Sequence, residues 1–239
     1  MSQRSGYRTA SIFIAGAWLC SCSMLAPQPD VSRFYTLSAV ADADVSGGAR
    51  ARGLTYGLGP IELPPYLDRT ELAMRVSPAE IAYSPTDLWA ETLKTNLTRV
   101  LRQNLSARLG GEPVVLYPWP RASSVSYQIA ITVLQFERTA TGEARLHARW
   151  SIRDARRGAE VAGKESSFAH SVAPATAAAA VNALSADVGD LSQEIAAALQ
   201  SLPVPQTSAP PEAKGAGKKG RAASAADDGD TSNQRLHRQ

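Results

Sequence analysis

Two cysteines are all the chain has, and both lie near its start, at Cys20 and Cys22. Everything downstream therefore lacks a disulfide and any thiol chemistry, so packing alone must stabilise it. Histidine is scarce too, at His147, His170 and His237. His237 falls in a low-complexity tail, and the other two fall in predicted strands without H-x-x-x-H spacing or a cysteine partner, which argues against a metal site. No Gly-x-Ser-x-Gly elbow frames a serine. Ser171 follows His170 directly, and in a strand adjacent side chains point to opposite faces. Gly57-Leu58-Gly59-Pro60 lacks the third glycine and following helix of a dinucleotide loop, and no P-loop occurs. Glu91 and Glu137 are a candidate carboxylate pair far apart in sequence, and each reads as a surface or capping charge. No catalytic constellation emerges: the chain reads as a non-enzyme with no cofactor and no metal.

Charge of one sign is also missing. Lys+Arg number 25 against 22 Asp+Glu, and loss of Arg4 and Arg8 with a leader takes the balance closer to neutral. The basic sequence pI near 9.0 therefore gives no argument for nucleic acid. What the start does have is a leader with Arg4 and Arg8, then an apolar run from Ala10 to Leu19. That run is roughly ten residues, against about 20 for a membrane-crossing helix, and reads as an export signal. Leu19, Ser21 and Cys22 fit positions −3, −1 and +1 of the lipobox of bacterial lipoproteins. Cys20 cannot be the modified residue, because Leu19 would then occupy −1, where a small side chain is needed. Cys22 is thus expected to carry a diacylglycerol thioether and an N-acyl chain, a durable anchor at about 0.8 kcal/mol per buried CH₂. Ser23, where an Asp would favour the inner membrane, resembles an outer-membrane sorting signal.

The expected organisation is a signal peptide over 1–21, a lipidated tether over 22–32, one domain over 33–202 and a tail over 203–239. Ala26-Pro27-Gln28-Pro29-Asp30 stiffens the tether. Arg33 to Leu37 reads as a first strand, Ala41 to Gly53 as a loop, and Leu54 to Leu63 as a second strand. Leu63-Pro64-Pro65-Tyr66-Leu67-Asp68-Arg69 is an extended turn displaying Tyr66 and Arg69. A hairpin is expected from Glu71 to Val76 and Glu80 to Tyr83, turning at Ser77-Pro78. Ser84-Pro85-Thr86-Asp87 has the chemistry of a helix opening, with Ser as N-cap and Pro at N1. The helix then carries Leu93, Leu97, Val100, Leu101 and Leu105 inward and stops at Gly110-Gly111. Val114 to Tyr117 is a short strand. Tyr127, Ile129, Ile131 and Val133 alternate in a strand reaching about Phe136, and Ala144 to Ile152 and Val161 to Val172 continue the meander. A closing helix from near Pro174 carries Val181, Leu184, Val188, Leu191, Ile195 and Leu199. The predicted fold is α/β (α+β), a mixed, mostly antiparallel sheet packed on two long amphipathic helices. Pro203 to Gln239 has almost no large apolar residues and is expected to be disordered. Lys218-Lys219-Gly220-Arg221 within it reads as a solvated basic stretch.

Most aromatic residues read as core or rim packing. Tyr66, Arg69 and Trp119 are the exceptions, because proline-rich loops hold them out and such residues anchor interfaces.

Several motifs in order carry a family resemblance. Phe34-Tyr35-Thr36-Leu37 follows the lipobox. Gly59-Pro60-Ile61-Glu62-Leu63-Pro64 precedes Tyr66-Leu67-Asp68-Arg69. Leu88-Trp89-Ala90-Glu91-Thr92-Leu93, Asn104-Leu105, Tyr117-Pro118-Trp119, Ala148-Arg149-Trp150-Ser151 and Glu194 to Leu199 come after. Together they resemble the PqiC/YmbA family, auxiliary lipoproteins of ABC-type, MCE-domain transport systems; the long tail departs from the pattern. The resemblance implies a protein held at the periplasmic face of the outer membrane. Its partners would be an MCE-domain protein spanning the periplasm, with an inner-membrane permease and ATPase, and its cargo class phospholipid or another hydrophobic molecule. Ring-like homo-oligomers are a further implication. A scaffold or activator of a cell-wall enzyme is the competing reading, and a periplasmic hydrolase the third, against which the motif search argues.

Overall fold

The computed structural model describes residues 31–40, 52–120 and 124–204. The leader, Cys22, the tether up to Asp30 and the tail beyond Val204 lie outside the described residues. Eight strands and two helices run in the order β1 (Arg33–Tyr35), β2 (Tyr56–Glu62), β3 (Glu71–Ser77), β4 (Glu80–Trp89), α1 (Leu93–Arg108), β5 (Val114–Leu116), β6 (Tyr127–Thr139), β7 (Glu143–Asp154), β8 (Glu160–Ser171) and α2 (Ala177–Ser201). A one-turn 3₁₀ helix, Pro65–Leu67, separates β2 from β3. This is the mixed sheet with two helices that the sequence predicts.

The long strand β6 organises the sheet. Along one edge it pairs antiparallel with β7, which pairs antiparallel with β8. The other edge is shared. β2 runs parallel to its first half, from Tyr56↔Tyr127 to Glu62↔Thr132, and β3 joins parallel at Met74↔Arg138 and Arg75↔Thr139. Beyond β2 lies β5, and beyond β3 lie β4 and then β1. The longest pairings are the antiparallel ones.

Alternation follows the pleat, with one interruption. Tyr127, Ile129, Ile131 and Val133 are buried, and then Phe136, of the opposite parity, takes the inward position. A register shift between Val133 and Gln135 inserts the extra residue responsible, as a β-bulge does. Inward residues of β6 and β7 meet the helices. α1 packs along β2 and β5, α2 along β6, β7 and β8, and the helices pack on each other. Leu97, Leu101 and Leu105 of α1 and Val188, Leu191 and Ile195 of α2 are buried in the resulting core. On the opposite face β7 and β8 carry a polar lattice in which Glu165 binds both Arg149 and His147.

The first helix starts eight residues later than the sequence predicts. Ser84-Pro85-Thr86-Asp87 stays in β4, where a register shift sets the stretch between Tyr83 and Leu88 off from its β3 partner. The Ser84 hydroxyl still accepts the amide of Asp87 at 2.9 Å, the bond that makes Ser a cap. It closes a bulge instead, because Leu88 and Trp89 are captured by parallel pairing with Phe34 and Tyr35 of β1. Thr92 is the true N-cap, accepting from Thr95 N–H at 3.3 Å. The predicted stop holds: Gly110 and Gly111 are left-handed (φ 71° and 79°), and their amides donate to Ala107 and Ser106, the Schellman arrangement. α2 is capped by Thr176, whose hydroxyl accepts from Ala179 N–H. No helix among the described residues is long and apolar enough to cross a membrane.

Candidate functional site

Between the point where β2 leaves β6 and the point where β3 joins it, the edge of β6 has no strand partner among the described residues. Tyr66 fills that gap. Its hydroxyl donates to Glu137 Oε2 at 2.8 Å and lies 3.4 Å from the Leu134 carbonyl. Glu137 is fully buried and accepts the amide of its neighbour Phe136 at 2.9 Å and Arg75 Nε at 2.6 Å. An unpaired strand edge is thus closed by one carboxylate with three donors, the condition under which a buried charge is tolerable. Burial, reinforced by the carboxylate, pushes the Tyr66 phenol well above its ordinary range. The Tyr83 hydroxyl donates to the Tyr66 carbonyl at 3.0 Å. Arg69 lies 4.3 Å over the Tyr83 ring and pairs with Glu71. Tyr66 is half-buried and Arg69 exposed, so this cluster presents a cation on an aromatic face backed by a fixed hydrogen-bonded floor.

Trp119 lies elsewhere. It packs on Gly57, near the start of β2, while Tyr66 follows the end of that strand; the intervening residues span roughly 16 Å at strand rise. A Cβ at Gly57 would meet Trp119 Cζ3 at 2.7 Å, and one at Gly59 would meet Tyr117 Cβ at 2.7 Å. The two rings meet edge-on at 5.4 Å. Two glycines in β2 thus make the bed on which a Tyr-Pro-Trp loop sits, leaving Tyr117 55% exposed. The structure joins Tyr66 with Arg69 and sets Trp119 apart. Cys22 lies outside the described residues.

The two carboxylates of the proposed pair take separate partners. Glu91, which precedes the Thr92 cap and is not in the helix as the sequence reading has it, binds Arg99 at 3.0 Å. Glu137 lies within β6 and not after it. Glu194 on α2 accepts Trp150 Nε1 at 2.8 Å and also binds Lys164 and Ser166. Burial alone would raise its pKa, and these donors more than reverse that. His170 Nδ1 lies 2.7 Å from the buried Asp187. No three His, Cys, Asp or Glu side chains among the described residues are grouped to hold a metal ion.

Two features escape sequence reasoning. The first is a strap: after β1, residues 36–40 are clasped by the helix pair. Asn96 and Asn104, both fully buried, accept the amides of Leu37 and Val40 at 3.0 Å each, and Ser185 accepts that of Ser38 at 3.2 Å. Arg108 donates to the Val40 carbonyl. Two asparagines eight residues apart on the inward face of a predicted helix are the signal available for it. The second is a cleft of about 460 Å³ between the β3–β4 hairpin, β1 and the first turns of α2, with Leu72, Trp89, Phe136 and Leu184 among its walls.

Crystal structures resemble this fold. An uncharacterised protein, 18% identical, superposes with a TM-score of 0.59 over 70% of this chain and 98% of its own. Protein XCC0632 from Xanthomonas campestris, assigned to DUF330 and 14% identical, superposes with a TM-score of 0.59 over 70% of this chain and 95% of its own. At such identities the likeness is one of fold. No curated protein matches the chain significantly by sequence. A family pattern does, across most of the folded domain: the chain belongs to the ABC-type transport auxiliary lipoprotein component family, which it matches over residues 35–196.

Proposed function

We propose that the protein is a non-catalytic outer-membrane lipoprotein of an ABC/MCE-type envelope lipid transport system. Acyl chains on Cys22 hold it at the periplasmic face, and it docks an MCE-domain protein served by an inner-membrane permease and ATPase. The observation that carries the non-catalytic part is how three of the buried carboxylates are used. Glu112 accepts the amides of Arg52 and Leu54, Asp154 those of Arg156 and Arg157, and Glu137 that of Phe136. Each of these three holds backbone in place, and Glu137 is in addition tied up by Tyr66 and Arg75, a structural use of the carboxylates. Docking is supported by the Tyr66–Arg69–Tyr83 cluster and by the Tyr117–Trp119 pair, in which half-buried aromatic rings back the exposed Arg69 and Tyr117.

Affinity purification of the detergent-solubilised protein tests the reading. Co-purification of an MCE-domain protein with its permease or ATPase is expected, weakened by Arg69→Ala or Trp119→Ala. Recovery of a cell-wall synthase without any MCE protein would overturn it. For the anchor, Cys22→Ser is expected to move the protein out of the membrane fraction.

A further inference from the structure

We propose that the cleft between the β3–β4 hairpin and the first turn of α2 binds a single acyl chain of an anionic amphiphile, with the headgroup against Arg138. The cleft holds about 460 Å³, within the range of sites for small ligands. Its walls are apolar where the sheet and helix meet: Leu72, Trp89, Phe136 and Leu184 are all parts of the core. Ala177 and Ala180 of α2 contribute only methyl groups on the facing side. Leu72, Trp89 and Phe136 of the sheet thus face the two alanines of α2, with Leu184 a turn further along that helix, and such a slot suits a flexible hydrocarbon chain.

The polar groups are at the rim, and their balance is positive. Arg33 is neutralised by Asp87 at 2.8 Å, and Asp87 is further held by Ser84 and Tyr35. Among the described residues Arg138 has no carboxylate partner, its side chain's one hydrogen bond is a long one, 3.5 Å from Nη1 to the Ala175 carbonyl, and its buried Nε has no partner. A buried guanidinium N–H without an acceptor is costly, and an anionic oxygen at the cleft mouth would satisfy it. The first turn of α2 adds to the same potential. It carries no acidic residue, and its positive end opens on the cleft through Thr176 and Ala177. The apolar walls and the unpaired cation together select a headgroup with a tail: a fatty acid, a lysophospholipid or one chain of a phospholipid. Inorganic phosphate would meet only the cation.

This proposal extends the lipid-transport reading, since it gives the domain direct contact with the cargo class. It is tested without any partner protein. The chain from residue 22 to 239, carrying Cys22→Ser so that no detergent is needed, is titrated with brominated dodecanoate while the fluorescence of Trp89 is followed. Trp89→Phe identifies its share of the signal. Saturable one-to-one quenching is expected. Across unbrominated competitors from octanoate to tetradecanoate, affinity should rise by up to about fourfold per methylene and level off once the chain outgrows the slot. Ala82→Trp, a strand substitution that narrows the cleft, should abolish binding while the circular dichroism spectrum is kept. Arg138→Gln should weaken dodecanoate and dodecyl phosphate about tenfold and leave dodecanol unchanged. Binding indifferent to chain length, or equal for acetate and inorganic phosphate, would overturn the proposal. So would binding that survives Ala82→Trp. A chain that recovers its MCE partner and binds no amphiphile would overturn this inference and leave the docking function standing; the reverse result would separate them the other way.

Discussion

The carboxamide oxygen of Asn96, fully buried in α1, accepts the amide hydrogen of Leu37 at 3.0 Å. It also accepts Arg99 Nη2 at 2.7 Å and the Thr36 hydroxyl at 3.2 Å. The strap behind the first strand is therefore locked to the helix layer by buried side chains, while β1 itself is held by its parallel ladder to β4. Asn96→Ala is expected to cost about 2 kcal/mol, the penalty of leaving buried donors unsatisfied. Hydrogen exchange gives the sharper test. The Leu37 amide should lose its protection in Asn96→Ala, and the Val40 amide in Asn104→Ala, while amides of β6 and β7 keep theirs. Unchanged protection at Leu37 would mean that β1 pairing alone holds the segment.

Glu137 replaces a missing strand between β2 and β3. Glu137→Ala is expected to destabilise the domain by about 3 kcal/mol, because it leaves Arg75 without its carboxylate and the Phe136 amide without an acceptor. Tyr66→Phe removes a single bond to a charged acceptor and should cost about 1.5 kcal/mol. The two losses share a partner, so the double variant should cost clearly less than their sum. Additive values in urea denaturation would show that Tyr66 and Glu137 act independently, against the geometry.

Much of the architecture was legible because it depends on local pattern. Leucines at helical spacing, Gly110-Gly111 at the stop and the alternation from Tyr127 placed α1 and β6. The misreadings share one cause, which is tertiary capture of a local signal. Ser84 makes its capping bond, yet parallel pairing with β1 keeps the chain extended. Phe136 turns inward because a bulge changes parity, which no period-two pattern contains. The roles of Asn96, Asn104 and Glu137 depend on partners about 60 residues away, as in the bonds to Leu37 and Arg75. Tyr66 and Arg69 stood out as neighbours on a proline-rich turn, but their shared partner Tyr83 appears only once the β3–β4 hairpin folds beneath them.

Gly57 is required by a ring, not by a turn. A methyl group there would lie 2.7 Å from Trp119 Cζ3, a distance that forces the indole to move. Gly57→Ala is expected to cost about 2 kcal/mol, as overpacking does. Combined with Trp119→Ala it should cost little beyond Trp119→Ala alone, since the clash is gone. If Gly57→Ala were equally harmful in both backgrounds, backbone conformation rather than the indole would be the reason for glycine.

Asp187 carries a pH dependence of unusual sign. Its carboxyl is fully buried on α2, with Oδ1 bound to His170 and Oδ2 without a partner among the described residues; Asp190 lies beyond, 3.7 Å from His170 Nε2. Burial raises its pKa to about 6, against the opposing pull of His170 and with a smaller push from Asp190. A raised acid favours the folded state while it is protonated. Below about pH 4 both folded and unfolded chains hold the proton, and the group costs nothing. Between about pH 4 and 6 the unfolded chain gives up its proton first, so stability falls as pH rises, and above about pH 6 the loss is complete. Asp187→Asn keeps an acceptor for His170 and never charges. It should be more stable than the parent by about 2 kcal/mol at pH 7.5, with the difference closing towards pH 4, as read by urea denaturation at both values. A variant less stable than the parent at pH 7.5 would show that pairing with His170 outweighs the burial of charge, and would reverse the assignment of which force governs this contact between β8 and α2.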